Sequence, residues 1–172
     1  DWQDISSYIE RTMTDEVIDQ AIHALPPEVL AVSGYEIGEK LKSRRDQLPE
    51  AVDQYYALLA AQVDVVGSNK HEFVEVERLG SGNVKVLMFK RNRQGEVFRE
   101  NPMFVREFVR EETKEVCIYG LDGADVFHIS GSARKSIPVR IIGGPGPDEI
   151  NDYSSVGGAA KHTYIYDNKS TT

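Results

Sequence analysis

Two short stretches carry most of the chemistry in this chain. Residues 120–128 read GLDGADVFH, and residues 143–151 read GGPGPDEIN. Gly120 aligns with Gly143, Gly123 with Gly146, Asp125 with Asp148 and Phe127 with Ile150, at an offset of 23 residues (143 − 120). Ile118 and Ile141, in the apolar runs ahead of the turns, keep the same offset. Glycine lets the chain turn through positive φ and aim carbonyl oxygens inward, and aspartate adds a charged oxygen. Such an oxygen-rich turn suits a hard cation. Calcium takes about 6–8 oxygens at roughly 2.3–2.6 Å, which two stacked turns assemble more readily than one. The other use of aspartate in a turn is to cap backbone N–H groups.

The remaining candidates for chemistry are weaker. Four histidines, His23, His71, His128 and His162, are scattered along the chain, and alternation along its strand sends His128 away from the Asp125 turn. Ser130-Gly131-Ser132-Ala133-Arg134 is not a nucleophile elbow, and no glycine-rich turn ends in the Lys-Ser/Thr of a phosphate loop. Helix capping and turn chemistry account for the paired acids Asp15-Glu16 and Asp148-Glu149. Twenty Lys and Arg against 28 Asp and Glu give a net charge of −8, with basic residues interleaved with acids as in RNRQGEVFRE. A groove that tracks phosphates needs clustered cations, so nucleic acid is excluded as an expected partner and a cation is favoured. The lone Cys117 sits in the apolar alternation VCIY, permits no internal disulfide, and reads as a small buried filler.

Elements of two kinds must position these turns. Residues 1–66 read as a helical part. Thr14 can cap a helix with Val17, Ile18, Ala21, Ile22 and Leu25 on one face, stopped by Pro26-Pro27. Ser33 and Glu36 have the form of a capping box opening a second helix. Pro49 suits the first turn of a third, with Val52, Tyr55, Tyr56, Leu59, Ala60 and Val63 on one side. From about Val63 the period becomes two, and residues 67–172 read as a β part. Phe73, Val74, Val76 and Leu79, then Val84, Val86 and Phe89, predict an antiparallel meander. After Glu115, short apolar runs separated by glycine turns repeat once as strand, turn, strand and return loop, which describes a short β-roll or solenoid-like layer. The fold class is therefore α+β, about three helices packed on the meander. One-sided helices and alternating strands predict one shared core. No apolar run approaches the ~20 residues that span a bilayer, so the segment itself is not expected to insert in a membrane. A chain that opens on Asp1 with no charged-then-apolar leader is expected to be a mature product or a piece of something longer.

Residues 143–151 match the repeat-in-toxin (RTX) nonapeptide G-G-x-G-x-D-x-U-x at every defined position, and residues 120–128 match it except for Leu121. The turns thus resemble those that wind a calcium-binding parallel β-roll, although the unit here is 23 residues rather than about 18. The resemblance implies a calcium shared by Asp125 and Asp148 on one edge, with Gly120, Asp122 and Gly143 supplying further turn oxygens. More broadly, LKSRRDQLPEA, YYALLAAQVDVVGSNKHEF, REETKEVCIYGLDGADVF, VRIIGGPGPDEI and YIYDN resemble a segment of large bacterial surface proteins. Those proteins carry a calcineurin-like metallophosphoesterase domain ahead of the segment and an outer-membrane barrel behind it. This resemblance implies a non-catalytic connecting or interaction domain in the cell envelope, whose partners are neighbouring domains of a longer chain. The alternative is an accessory or regulatory part of a phosphoesterase whose catalytic site lies outside these residues, since none of the family's metal-binding stretches occurs here. The nearest approach, Asn69-Lys70-His71-Glu72, carries an inserted lysine.

Overall fold

A computed structural model of the chain describes residues 2–158 and 162–167. It is α+β and divides into two compact units, Asp1–Leu59 and Ala60–Thr172.

The first unit is helical. Helix α1 spans Trp2–Thr12 and α2 spans Asp15–His23, with a single turn α3 at Pro27–Val29. A π-helical turn over Leu30–Gly34 then leads into the long α4, Tyr35–Ala61. Thr14 caps α2 as expected, its hydroxyl accepting from the Val17 N–H, and Ile18 and Ile22 are the buried side chains of that helix. Two expectations need correction. The Ser33–Glu36 capping box does not form, because the chain is already helical from Pro27 and Ser33 lies inside the π turn. Nor does Pro49 open a new helix; it lies within α4, whose flanking residues are mostly strong helix formers that carry the helix across one missing N–H. Helix α1 has no counterpart among the expected elements. Arg45 ties α4 to α2 through Asp15 at 2.6 Å and to the Met13 carbonyl at 2.9 Å, and Lys42 reaches Asp19 at 2.8 Å.

Among its described residues the second unit holds ten strands: β1 (Gln62–Val66), β2 (Glu72–Arg78), β3 (Val84–Lys90), β4 (Phe104–Phe108) and β5 (Glu115–Tyr119), then β6 (Val126–Ala133), β7 (Val139–Ile142), β8 (Glu149–Asp152), β9 (Ser155–Val156) and β10 (Thr163–Tyr166). One sheet runs β1-β5-β7-β10, with every neighbour parallel. The other runs β4-β3-β2-β6-β8, with β9 paired to the end of β6. The expected meander is real only for β2-β3-β4; the far edge of β2 pairs in parallel with β6, and β6 with β8. Three strand–turn–strand units therefore lie in register: β1 and β2, β5 and β6, β7 and β8. The β3–β4 hairpin is an insertion between the first and the second.

Parallel strands buried on their inner faces read as apolar runs, and that is how VCIY and VRII are used. Val65, Val116, Ile118, Val139 and Ile141 of the first sheet cluster with Val74, Val76, Val86, Met88, Phe127 and Ile129 of the second. A core shared with the helices is the expectation from sequence. Within the β unit itself, the buried cluster is formed mainly by residues of its two sheets. The unit boundary also falls ahead of residue 66, since β1 already belongs with β5.

Candidate functional site

The turns that join the two sheets stack as the strands do. The N–H of Gly67 donates to the Tyr119 carbonyl at 2.8 Å, that of Gly120 to the Ile142 carbonyl at 2.9 Å, and that of Gly143 to the Tyr166 carbonyl at 3.0 Å. At the far end of each turn stands an acid: Glu72, Asp125 and Asp148. Asp125 Oδ1 accepts the backbone N–H of Glu72, and Asp148 Oδ1 accepts the backbone N–H of Asp125, both at 2.8 Å. Each aspartate thus caps the corresponding acid one unit earlier, which is the capping use of aspartate foreseen from the sequence.

Their second oxygens have a different fate. Asp125 Oδ2 and Asp148 Oδ2 are buried without a hydrogen-bond partner, and Asp125 as a residue is 1% exposed. A Cβ placed on Gly120 would sit 2.5 Å from both Asp125 Oδ2 and the Gly143 carbonyl oxygen. One placed on Gly143 would sit 2.5 Å from Asp148 Oδ2 and 2.8 Å from Asp167 Oδ1. The hydrogen atom of glycine thus leaves a small gap, faced at Gly143 by two carboxylates and at Gly120 by two oxygens and the Phe127 ring, whose Cζ would lie 3.2 Å from the added Cβ. Glycine is also required at Gly146, where φ is +148° and a Cβ would overlap the Gly123 carbonyl.

Burial is the main cause that pushes the Asp125 carboxyl up, to about 7, with the Glu72 N–H opposing and the nearby Glu72 and Asp148 charges adding. Burial likewise raises Asp148, opposed by the Asp125 N–H and reinforced by Asp167. An uncompensated carboxylate in such a place is unfavourable. Two things relieve it: a proton, which lets the carboxyl donate to the facing carbonyl, or a cation held between the two oxygens.

The residues fit a hard cation in kind. All the facing donors are carboxylate or carbonyl oxygens, the set that calcium and magnesium prefer over softer metals. Among the described residues no group of three or more His, Cys, Asp or Glu side chains is placed to hold a metal, so backbone carbonyls and solvent would complete the shell. Asp125, Asp148, Gly120 and Gly143 come together as the spacing indicates, and Asp122 lies exposed at the tip of its turn. His71 accepts the Ala124 N–H through Nδ1 at 2.9 Å, and His128 packs against Tyr153 with ring centroids 5.3 Å apart.

Two members of the column escaped the sequence reading. Glu72 stands five residues after Gly67, as Asp125 does after Gly120 and Asp148 after Gly143. The β3–β4 insertion stretches its offset to 53 (120 − 67), and glutamate replaces aspartate, so the repeat is disguised. Its carboxylate is satisfied by the N–H and hydroxyl of Ser68, which closes that gap internally. Asp167 follows β10 in register with Gly143, but no third glycine turn announces it.

No family model, curated protein or solved structure matches the chain. The chemistry of the column therefore rests on its own geometry.

Proposed function

We propose that this chain is a non-catalytic connecting or interaction module of a bacterial envelope-associated protein, in which stacked Gly–Asp turns form a short β-roll stiffened by calcium. One observation carries the calcium reading: the orphaned Oδ2 atoms of Asp125 and Asp148, each facing a further oxygen across a glycine-made gap. The gap at Gly143 suits a divalent ion better, because two carboxylates, Asp148 and Asp167, face it. The envelope setting is supported by the sequence resemblance, and the gene's flanking sequence tests it. A metallophosphoesterase signature ahead and barrel strands behind support the setting, and their absence overturns it.

Calcium is expected to raise the melting temperature through binding to the folded state alone. A Kd of order 10⁻⁴ M, as in extracellular calcium modules, gives about 1.4 kcal/mol at tenfold excess. Gly143→Ala, which fills the gap, and Asp148→Asn should each remove most of this response as read by calorimetry in calcium and in chelator. An unchanged wild-type melting temperature in millimolar calcium would leave the aspartates as caps. The chain is also expected not to hydrolyse an aryl phosphate with added manganese; turnover abolished by His71→Ala would favour the phosphoesterase reading instead.

A further inference from the structure

The end of the β unit away from the Gly–Asp turns holds a second constellation, of opposite charge. The β2–β3 turn, the loop between β4 and β5, and the return loop between β6 and β7 meet there. They line a hollow of about 350 Å³ with Gly80, Ser81, Arg110, Arg134 and Lys135. Their convergence is built into the backbone. Gly82 adopts φ +97°, and a Cβ on it would lie 2.7 Å from both Arg110 Cδ and the Lys135 carbonyl oxygen. The Ile137 N–H donates to the Gly82 carbonyl, and the Arg110 N–H to Asn83 Oδ1 at 3.2 Å. Glu107, on β4, is taken by Asn83 Nδ2 at 2.7 Å, and Glu111 and Glu112 follow Arg110 in the loop as exposed residues. No ion pair joins Arg110, Arg134 or Lys135 to any acid among the described residues.

Three cations that line one hollow without a direct ion pair repel one another, and an anion seated among them would relieve that repulsion. Two guanidinium groups supply the forked donors that match a tetrahedral oxyanion, and the ammonium and the Ser81 hydroxyl add single donors. We propose that this hollow binds a phosphate group, either free or carried on a lipid headgroup.

The test uses the full chain in chelator at constant ionic strength, titrated with inorganic phosphate, with pyrophosphate, and with vesicles of phosphatidic acid or of phosphatidylcholine alone. Thermal shift and heat of binding read the soluble ligands, and co-sedimentation reads the vesicles. The wild type is expected to bind at least one phosphate probe. The R134Q/K135Q variant, altered only at exposed positions, is expected to bind it at least tenfold more weakly with an unchanged melting temperature. Arg110→Gln should do the same, and Lys40→Gln in the helical unit should not. Response to the soluble ions marks a free phosphate ligand, and response to phosphatidic acid vesicles alone marks a headgroup. A wild type that responds to neither beyond the chloride control, that binds phosphatidylcholine equally, or whose binding survives R134Q/K135Q overturns the proposal.

Discussion

Arg78→Met is expected to destabilise the β unit by about 3 kcal/mol or more, because hydrogen bonds to a charged group contribute about 1.5–3 kcal/mol each and several buried acceptors lose their donor together. Arg78 lies at the end of β2, 2% exposed, and burial lowers its pKa. Its guanidinium makes five bonds. Nε donates to Ser154 Oγ at 3.0 Å, Nη1 to Ser136 Oγ and the Ile137 carbonyl, and Nη2 to the His162 carbonyl and Thr163 Oγ1, the last four all at 2.9 Å. One side chain from the first strand–turn–strand unit therefore holds the return loop after the second and the segments on both sides of the third. Methionine fills much of the same volume and donates nothing, leaving five acceptors to find new partners in a partly closed space. Arg78→Lys should recover only part of the loss, because an ammonium carries three donors without the planar fork. Urea denaturation checks this through the midpoint at unchanged slope. A loss below about 1 kcal/mol for Arg78→Met would show that water replaces the guanidinium without penalty.

This staple also marks what the sequence hides. Arg78 ends an alternating strand and reads as one more charge on a wet face; nothing local says that its partners lie between 58 and 85 residues later. The Gly–Asp turns are legible because their information is local: glycines that the backbone needs, and an acid at a fixed distance from them. The same spacing rule holds at Gly67 and Glu72, but the inserted hairpin breaks the offset that makes the repeat visible. The parallel pairing of β2 with β6 is hidden for the same reason, since alternation reports which face of a strand is buried and not which strand lies beside it. The continuity of α4 through Pro49 shows the helix formers on either side outweighing one proline that reads locally as a helix start.

The pH dependence of stability separates a proton from a cation at Asp125. Its carboxyl titrates near 3.8 when unfolded and is pushed up to about 7 when folded, so between these values the folded state binds the extra proton. That contribution is fully present below about pH 4 and is lost as pH rises through 7. At 1.36 kcal/mol per pH unit the loss approaches about 4 kcal/mol as an upper bound. The raised Asp148 acts in the same direction. Glu72, Asp148 and Arg91 are the charges that Asp125 feels, and the two acids oppose its ionisation more than Arg91 favours it. Asp125→Asn mimics the protonated form: its amide oxygen still accepts the Glu72 N–H, and its NH₂ can face the Gly143 carbonyl where Oδ2 stood. In chelator the variant is expected to match the wild type near pH 4 and to exceed it by about 2–4 kcal/mol at pH 8, within the bound set by that shift. Calcium at pH 8 should then restore the wild type toward the variant, because an ion can meet the carboxylate's unpaired oxygen, while Asp125→Asn gains little. Denaturation midpoints measured across this pH range, with and without calcium, decide the matter. If the wild-type deficit at pH 8 persists in calcium, the column is a proton-filled ladder. If no deficit appears in chelator, water reaches Asp125 Oδ2 and the buried gap needs neither proton nor metal.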